Sequence, residues 1–296
     1  MVRRLGEPAI PVADWAGPLD ALTRPPPAWA GLPPGPLVMG ILNVTPDSFS
    51  DAGQLSDPGR AIDAGRRMVA DGAAVLDVGG ESTRPGAEPV PPEEEQRRVL
   101  PVIAALAREG VPLSVDTRNA STMAHALDAG AAILNDVSAL RHDPAAAKLV
   151  ASRNCPVILM HMRGTPQTMN SLARYVDIGA EVLAELAALI AVAEEAGIER
   201  HRIAVDPGFG FAKIGGQNRE LLSRLSLFVN LNRPIIAGMS RKKFVGEMAG
   251  VAEAGARGPA SLAAGLAALS QGATILRTHD VSATAQAIRV WRALAE

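Results

Sequence analysis

Short apolar runs recur along this sequence, and each hands over to residues that can ionise or hydrogen-bond. Leu37–Leu42 is followed by Asn43 and the stretch to Asp51, and Ala74–Val78 runs through Asp77 into Gly79-Gly80-Glu81-Ser82-Thr83-Arg84-Pro85-Gly86. Later runs end at Asp116-Thr117-Arg118, Asn135-Asp136, His161-Met162-Arg163, Asp206-Pro207-Gly208-Phe209-Gly210-Phe211, Ser240-Arg241-Lys242-Lys243 and Arg277-Thr278-His279-Asp280. One such residue would ordinarily be a helix cap or a turn former. Polar residues after every run point instead to one shared site. Asn135, Asp206 and Lys242 have the donors and acceptors to hold a flat nitrogen heterocycle, with a carboxylate accepting from adjacent ring N–H groups. Arg84, Arg277 and His279 suit a pyrophosphate, to which charge-assisted bonds are strong. No carboxylate pair stands out as a glycosidase acid and nucleophile, and no Ser-His-Asp order indicates acyl transfer. The stretch Gly208 to Lys213 lacks the third glycine of a dinucleotide fingerprint, and no cluster of His and Cys indicates structural zinc.

The elements that must position these residues read as repeated βα units. The apolar runs, completed by Pro112–Val115, Ala132–Leu134, Val157–Met160, Ile203–Val205, Pro234–Ala237 and Thr274–Leu276, are short and continuously apolar, as strands buried on both faces should be. Between them lie amphipathic, alanine-rich stretches that predict helices at Ala61–Asp71, Glu93–Glu109, Ala120–Ala129, Ala145–Ser152, Ala180–Ala196, Arg219–Phe228, Ser261–Ser270 and Val281–Ala293. Glycines such as Gly72, Gly130 and Gly272 mark the αβ turns. This alternation predicts an α/β fold, a TIM (β/α)8 barrel at 37–296, whose active site would lie at the strand C-terminal ends. An open doubly wound sheet is the alternative that periodicity leaves standing. Residues 1–36 are rich in proline and read as an arm or irregular cap on the barrel, not a domain.

At 296 residues the chain has the length of one such barrel, and a 48% hydrophobic share provides its core. The net charge of −2 and 3% aromatic content argue against a nucleic-acid partner. No apolar run is long enough to cross a membrane. Arg3 and Arg4 are not followed by an apolar stretch, so the N-terminus does not read as a secretory signal. The single cysteine, Cys155, suits a reducing compartment, and a cytoplasmic location is the expectation.

The segments MGILNVTPDSFSDAG, LDVGGESTRPGA, VDTRNA, ILNDVSAL, LMHMRGTPQTM, VDPGFGFAKIGGQN, AGMSRKKF and RTHDV resemble, in order, the signatures of the dihydropteroate synthases. The resemblance runs from about Leu37 to the end of the chain and leaves the Pro-rich arm outside it. It implies a transferase of folate biosynthesis, commonly a homodimer, that needs Mg²⁺. The reaction joins 6-hydroxymethyl-7,8-dihydropterin pyrophosphate to p-aminobenzoate, giving dihydropteroate and pyrophosphate. By motif position the pterin would meet Asp116, Asn135, Asp206 and Lys242, with Met160 on the ring face. Pyrophosphate would meet Asn43, Arg84, Arg277 and His279, with Asn43 also near the Mg²⁺. The p-aminobenzoate slot would use Thr83, Arg84, Pro85, Phe211 and Lys242, and Asp116, Lys242, Arg277 and His279 would carry the catalysis.

The sequence departs from the family pattern at Lys243, where serine is usual, at Ala212, where glycine is usual, and at Gly258-Pro259-Ala260. None of these removes a residue assigned to pterin or pyrophosphate, but Lys243 bears on p-aminobenzoate recognition. Lys242 and Lys243 lie at the start of an expected helix, whose free N–H groups favour a carboxylate. Two other readings compete. A methyltetrahydrofolate methyltransferase barrel would share the pterin contacts, but it has no use for Arg84, Arg277 and His279. A non-catalytic pterin-binding paralogue would have lost site residues that are intact here. His161 and His142 read as packing or loop residues, Thr117 and Asp136 as caps, and Asp77 as a support that bonds Asp116 or backbone. Met160 reads equally well as core.

Overall fold

The computed structural model describes residues 29–45, 58–84 and 86–295. Among these, strands and helices alternate from β1 (Leu37–Asn43) onward. There follow α1 (Pro58–Ala70), β2 (Val75–Gly79), α2 (Pro92–Arg108), β3 (Leu113–Asp116), α3 (Ala120–Asp128), β4 (Ile133–Asp136) and α4 (Ala146–Arg153). The second half runs through β5 (Val157–Met160), α5 (Ile178–Glu195), β6 (Ile203–Asp206), α6 (Gly216–Ser223), β7 (Ile236–Ala237), α7 (Lys243–Ala249), α8 (Gly258–Ser270), β8 (Ile275–Thr278) and α9 (Val281–Ala295). Every strand pair is parallel, in the order β6-β5-β4-β3-β2-β1-β8-β7. A parallel bridge between Val205 and Ile235 joins the two ends. The sheet therefore curls into the expected TIM barrel, and the open-sheet alternative falls.

Two expected elements differ. The seventh strand is only two residues long, because Pro234 has no N–H to give the ladder; its carbonyl still accepts from Val205 N at 2.9 Å. The helix expected at Arg219–Phe228 is instead α6 followed by a 3-10 segment, Leu225–Leu231, which turns Leu225 and Phe228 into the core.

Burial follows a period of two along each strand, as a pleated backbone requires. Val38, Leu42, Leu76, Val78, Leu113, Val115, Leu134, Val157, Leu159, Ile203, Val205 and Leu276 face outward, in the large cluster that includes helix residues such as Val99, Ile103, Leu186 and Ala268. The alternate positions, Leu37, Met39, Val75, Ile133, Ile158, Ala204, Ile236 and Ile275, fill the barrel's interior. Trp29 and Leu32, the described end of the Pro-rich stretch, join that inner cluster, and the Trp29 indole N–H donates to the Arg202 carbonyl at 2.8 Å.

Two residues further along each strand, the same inward direction carries Asp77, Asn135, Met160, Asp206 and Arg277. Asp116 falls on this face as well, one residue beyond the outward Val115. The strands run on past their apolar runs to include Asn43, Gly79, Asp116, Asn135, Asp206 and Arg277. These site residues thus sit on ladder-bonded backbone, not on loops, which holds them more accurately.

Candidate active site

Arg277 occupies the centre of the barrel mouth. Its Nε donates to Asp77 Oδ2 at 2.6 Å and its Nη2 to Asp116 Oδ2 at 2.7 Å. Burial works against the guanidinium charge, but the two carboxylates outweigh it and hold the group more firmly protonated than usual. The same Asp77 oxygen accepts from Asn135 Nδ2 at 2.9 Å. Asp77 therefore bonds Arg277 and Asn135, and the expected bond to Asp116 is corrected: two like-charged carboxylates need a cation between them. Burial drives Asp116 up to about 7, with Arg277 opposing the shift.

Asp206 ends β6, two strands from Arg277 on β8, and pairs in register with Met160. Its Oδ1 accepts from Gly208 N at 2.7 Å, closing a turn that aims the carboxylate into the barrel. Gly208 has φ +71°, and a Cβ there would lie 2.0 Å from the His161 carbonyl oxygen, so only glycine fits. Burial raises the Asp206 carboxyl, and the Lys242 ammonium draws it back. Lys242 is pushed down to about 8 by burial against the pull of Asp206. Its ammonium donates to the Phe209 carbonyl and lies 4.7 Å from the centre of the half-buried Phe211 ring. Met160 is buried with Val137, Met162, Met169 and Ala212, and Phe211 packs on that group. The heterocycle set and Phe211 are thus brought to one mouth.

His279 follows β8. Its N–H donates to Ser240 Oγ at 3.1 Å, and its Nδ1 lies 3.0 Å from the same oxygen. Burial pushes the ring down to about 4, helped by the nearby charges of Arg277, Arg241 and Arg84. Arg84 is thus near enough for its charge to act on the His279 ring. Arg241, with φ +58°, pairs with Asp280. Arg84 is exposed and Thr83 half-buried on the loop after β2. Beneath that loop Glu81 takes Arg118 at 2.8 and 3.1 Å and Val90 N at 3.1 Å, and Arg98 donates to the Gly80 carbonyl at 2.8 Å. Pro85 and the segment 46–57 lie outside the described residues.

Asn43 pairs with Gly79 in register. A Cβ built on Gly79 would lie 3.8 Å from both Asn43 Oδ1 and Asp116 Oδ2, so these oxygens flank the space that the glycine leaves open. Among the described residues no group of three or more His, Cys, Asp or Glu gathers as a protein-only metal cage would. Magnesium commonly binds through one or two protein oxygens plus substrate phosphates, and Asn43 Oδ1 suits that mode, whereas Asp116 Oδ2 already accepts from Arg277.

The expected caps behave as such. Asp136 accepts from Ser138 N and Leu140 N at 2.7 and 2.9 Å, and Thr117 Oγ1 accepts from Asn119 N at 3.2 Å. His161 is buried and bonded within the fold. Ser240 and Lys213 went unassigned in sequence. Ser240 lay in view within the run before Lys242, but nothing in the spacing marks it as the partner of His279.

Residues 39–279 match the family model described as Pterin binding enzyme. A dihydropteroate synthase from Neisseria meningitidis serogroup C is 45% identical over 262 residues, which is 88% of this chain and 93% of that protein. Among solved structures, a Xanthomonas albilineans dihydropteroate synthase with 4-aminobenzoic acid superposes with a TM-score of 0.83 at 47% identity, covering 88% of this chain and 93% of the other. A second structure from that organism, in complex with 7,8-dihydropteroate, gives 0.81 at 45% identity, covering 88% and 94%.

Proposed function

The chain belongs to the dihydropteroate synthase family, and from that premise we propose that its barrel mouth joins a 6-hydroxymethyl-7,8-dihydropterin pyrophosphate to p-aminobenzoate. One observation carries the reading. Asp77 bonds both Asn135, on the heterocycle side, and Arg277, beside Arg84 and His279 on the anion side, so one buried carboxylate ties the two subsites together.

Asn135, Asp206 and Lys242 hold the pterin, with Met160 against the ring. Carbon–oxygen cleavage at the pterin methylene leaves positive charge delocalised into the ring. Asp116, a carboxylate held by Arg277 at 2.7 Å, attracts that charge as it grows, so its effect is stronger in the transition state than in the bound substrate. Arg84, Arg277 and His279 take up the negative charge on the departing pyrophosphate. Asn43 would hold Mg²⁺ there, and the ion when bound adds further charge neutralisation on the phosphate oxygens. The slot formed by Thr83, Arg84, Pro85, Phe211 and Lys242 presents the neutral arylamine, whose nitrogen bonds the methylene carbon as its proton leaves to the pyrophosphate or water. A neutral amine needs little base help, so the main task is positioning.

Among the described residues no helix is long and apolar enough to cross a membrane. A homodimer is the accompanying proposal, for which Val290 and Leu294, exposed one turn apart on α9, offer an apolar surface, and a cytoplasmic location goes with the free, buried Cys155. The decisive assay is formation of dihydropteroate from the two substrates by purified protein, with and without Mg²⁺. Absence of product in both conditions would overturn the reading.

A further inference from the structure

A second polar chain runs from the surface to the loop that carries Phe211. Glu185 on α5, with its side chain 39% exposed, lies 2.9 Å from Nε2 of the buried His161. The Nδ1 of that ring lies 2.9 Å from the Nζ of Lys213, itself buried. Lys213 Nζ also donates to the carbonyls of Phe211 at 2.9 Å and Gly208 at 3.0 Å, with a longer contact to the His161 carbonyl at 3.4 Å. The Glu185 carboxylate can only accept, so the His161 ring carries its proton on Nε2 and leaves Nδ1 to accept from Lys213, whose ammonium burial pushes down while Asp206 holds it up. Burial and the Lys213 charge hold the ring down to about 4, which keeps it in that neutral form.

The outer end is fixed in turn. Arg163 Nε bonds both oxygens of Glu185 at 3.0 and 3.2 Å and its guanidinium lies 4.0 Å from the centre of the Tyr175 ring. The Tyr175 hydroxyl donates to the Ala212 carbonyl at 3.0 Å. Together with the bond from Lys242 to Phe209, these contacts hold the carbonyls of Gly208, Phe209, Phe211 and Ala212. Burying an ammonium is costly unless its donors are matched, and all three Lys213 donors are matched here. Two of them go to carbonyls of the Phe211 loop, whose N–H groups at Gly208 and Gly210 are held separately by Asp206 and Asn218 at 2.7 Å each.

We propose that the Glu185–His161–Lys213 chain is a positioning device that sets the Phe211 ring against Lys242 and so shapes the p-aminobenzoate slot. This rests on the assignment of Phe211 to that slot. The test separates the two bonds of His161. His161→Asn keeps an acceptor where Nδ1 stands but does not reach Glu185, whereas His161→Gln reaches Glu185 and gives up the bond to Lys213. Steady-state kinetics and thermal melting are measured on both, on Lys213→Met and on Phe211→Ala. Lys213→Met and His161→Gln should raise the KM for p-aminobenzoate by about tenfold or more with a smaller change in kcat, and His161→Asn should stay within about threefold of the parent. Where Lys213→Met does not fold, Glu185→Gln, a surface change, should still raise that KM by about threefold. Loss of melting temperature with an unchanged KM in Lys213→Met and His161→Gln would overturn the proposal, as would equal effects of Asn and Gln at 161. An unchanged KM in Phe211→Ala sinks the slot assignment and the inference with it. A raised KM there beside an unchanged one in Lys213→Met sinks the inference alone.

Discussion

Asp77 and Arg277 stand 200 residues apart in the chain and meet at 2.6 Å beneath the barrel mouth. The carboxylate fixes the guanidinium on one side and the Asn135 amide on the other, so its removal should be felt by both substrate halves. Asp77→Asn keeps the volume and leaves Asp116 to hold Arg277. The expected outcome is a folded protein that loses affinity for both pterin and pyrophosphate by about tenfold, or ~1.4 kcal/mol each. Titration calorimetry with the two ligands checks this, and parent-like affinities would show that Asp77 serves the fold alone.

The pterin contacts should be individually severe. Asp206→Asn, Asn135→Ala and Lys242→Ala each leave a buried polar group of the ligand or the site unmatched, at a cost of about 2–5 kcal/mol in binding. Circular dichroism should remain that of a folded barrel. Near-normal affinity for a pterin analogue in all three variants would refute the site.

Pyrophosphate binding should depend on pH through His279. The ligand-free ring is held down to about 4, and an anion beside it favours the imidazolium, so the bound pKa must be higher. Affinity should therefore rise as pH falls from neutrality toward the ligand-free value, with proton uptake on binding. Calorimetry in buffers of different ionisation enthalpy reads that uptake, and His279→Gln should abolish it. Arg277→Ala and His279→Ala should weaken pyrophosphate more than unphosphorylated pterin; equal losses would place both residues in the fold or the pterin site.

Lys243 departs from the family serine, yet its side chain is 86% exposed and lies 3.5 Å from Glu247 one turn along α7. With its ammonium in solvent beside Glu247, Lys243→Ser should leave the KM for p-aminobenzoate almost unchanged. A rise of about tenfold, equivalent to 1.4 kcal/mol, would mean that the ammonium reaches the substrate.

Most of the barrel could be read in advance because each buried strand announces itself as an apolar run followed by a polar residue. Ile203-Ala204-Val205-Asp206 places Asp206 on the inner face by period alone. What period cannot supply is the partner across the barrel, so the sequence offers Asp77 only Asp116 or backbone, and not Arg277 and Asn135. Lys213 escaped for a related reason: its role lies in three donors aimed at carbonyls, and backbone carbonyls leave no mark in a sequence. Ala212 was visible as a departure from glycine. The structure gives the departure its meaning, for Ala212 has φ +49°, a left-handed conformation that costs an L residue about 1–2 kcal/mol. Pro85 and residues 46–57 of the first two loops lie outside the described residues.

Trp29 and Leu32, with the inner side chains from Leu37 to Ile275, give the barrel an apolar floor. A medium of low polarisability below the mouth screens the charges of Asp116, Asp206, Lys242 and Arg277 weakly and focuses their field toward the open end. Mobile salt ions reach the site from that one side. Ionic strength should accordingly slow the arrival of a polyanionic pterin substrate far more than it loosens one already seated, because contacts inside the mouth lie beyond the reach of the ion atmosphere.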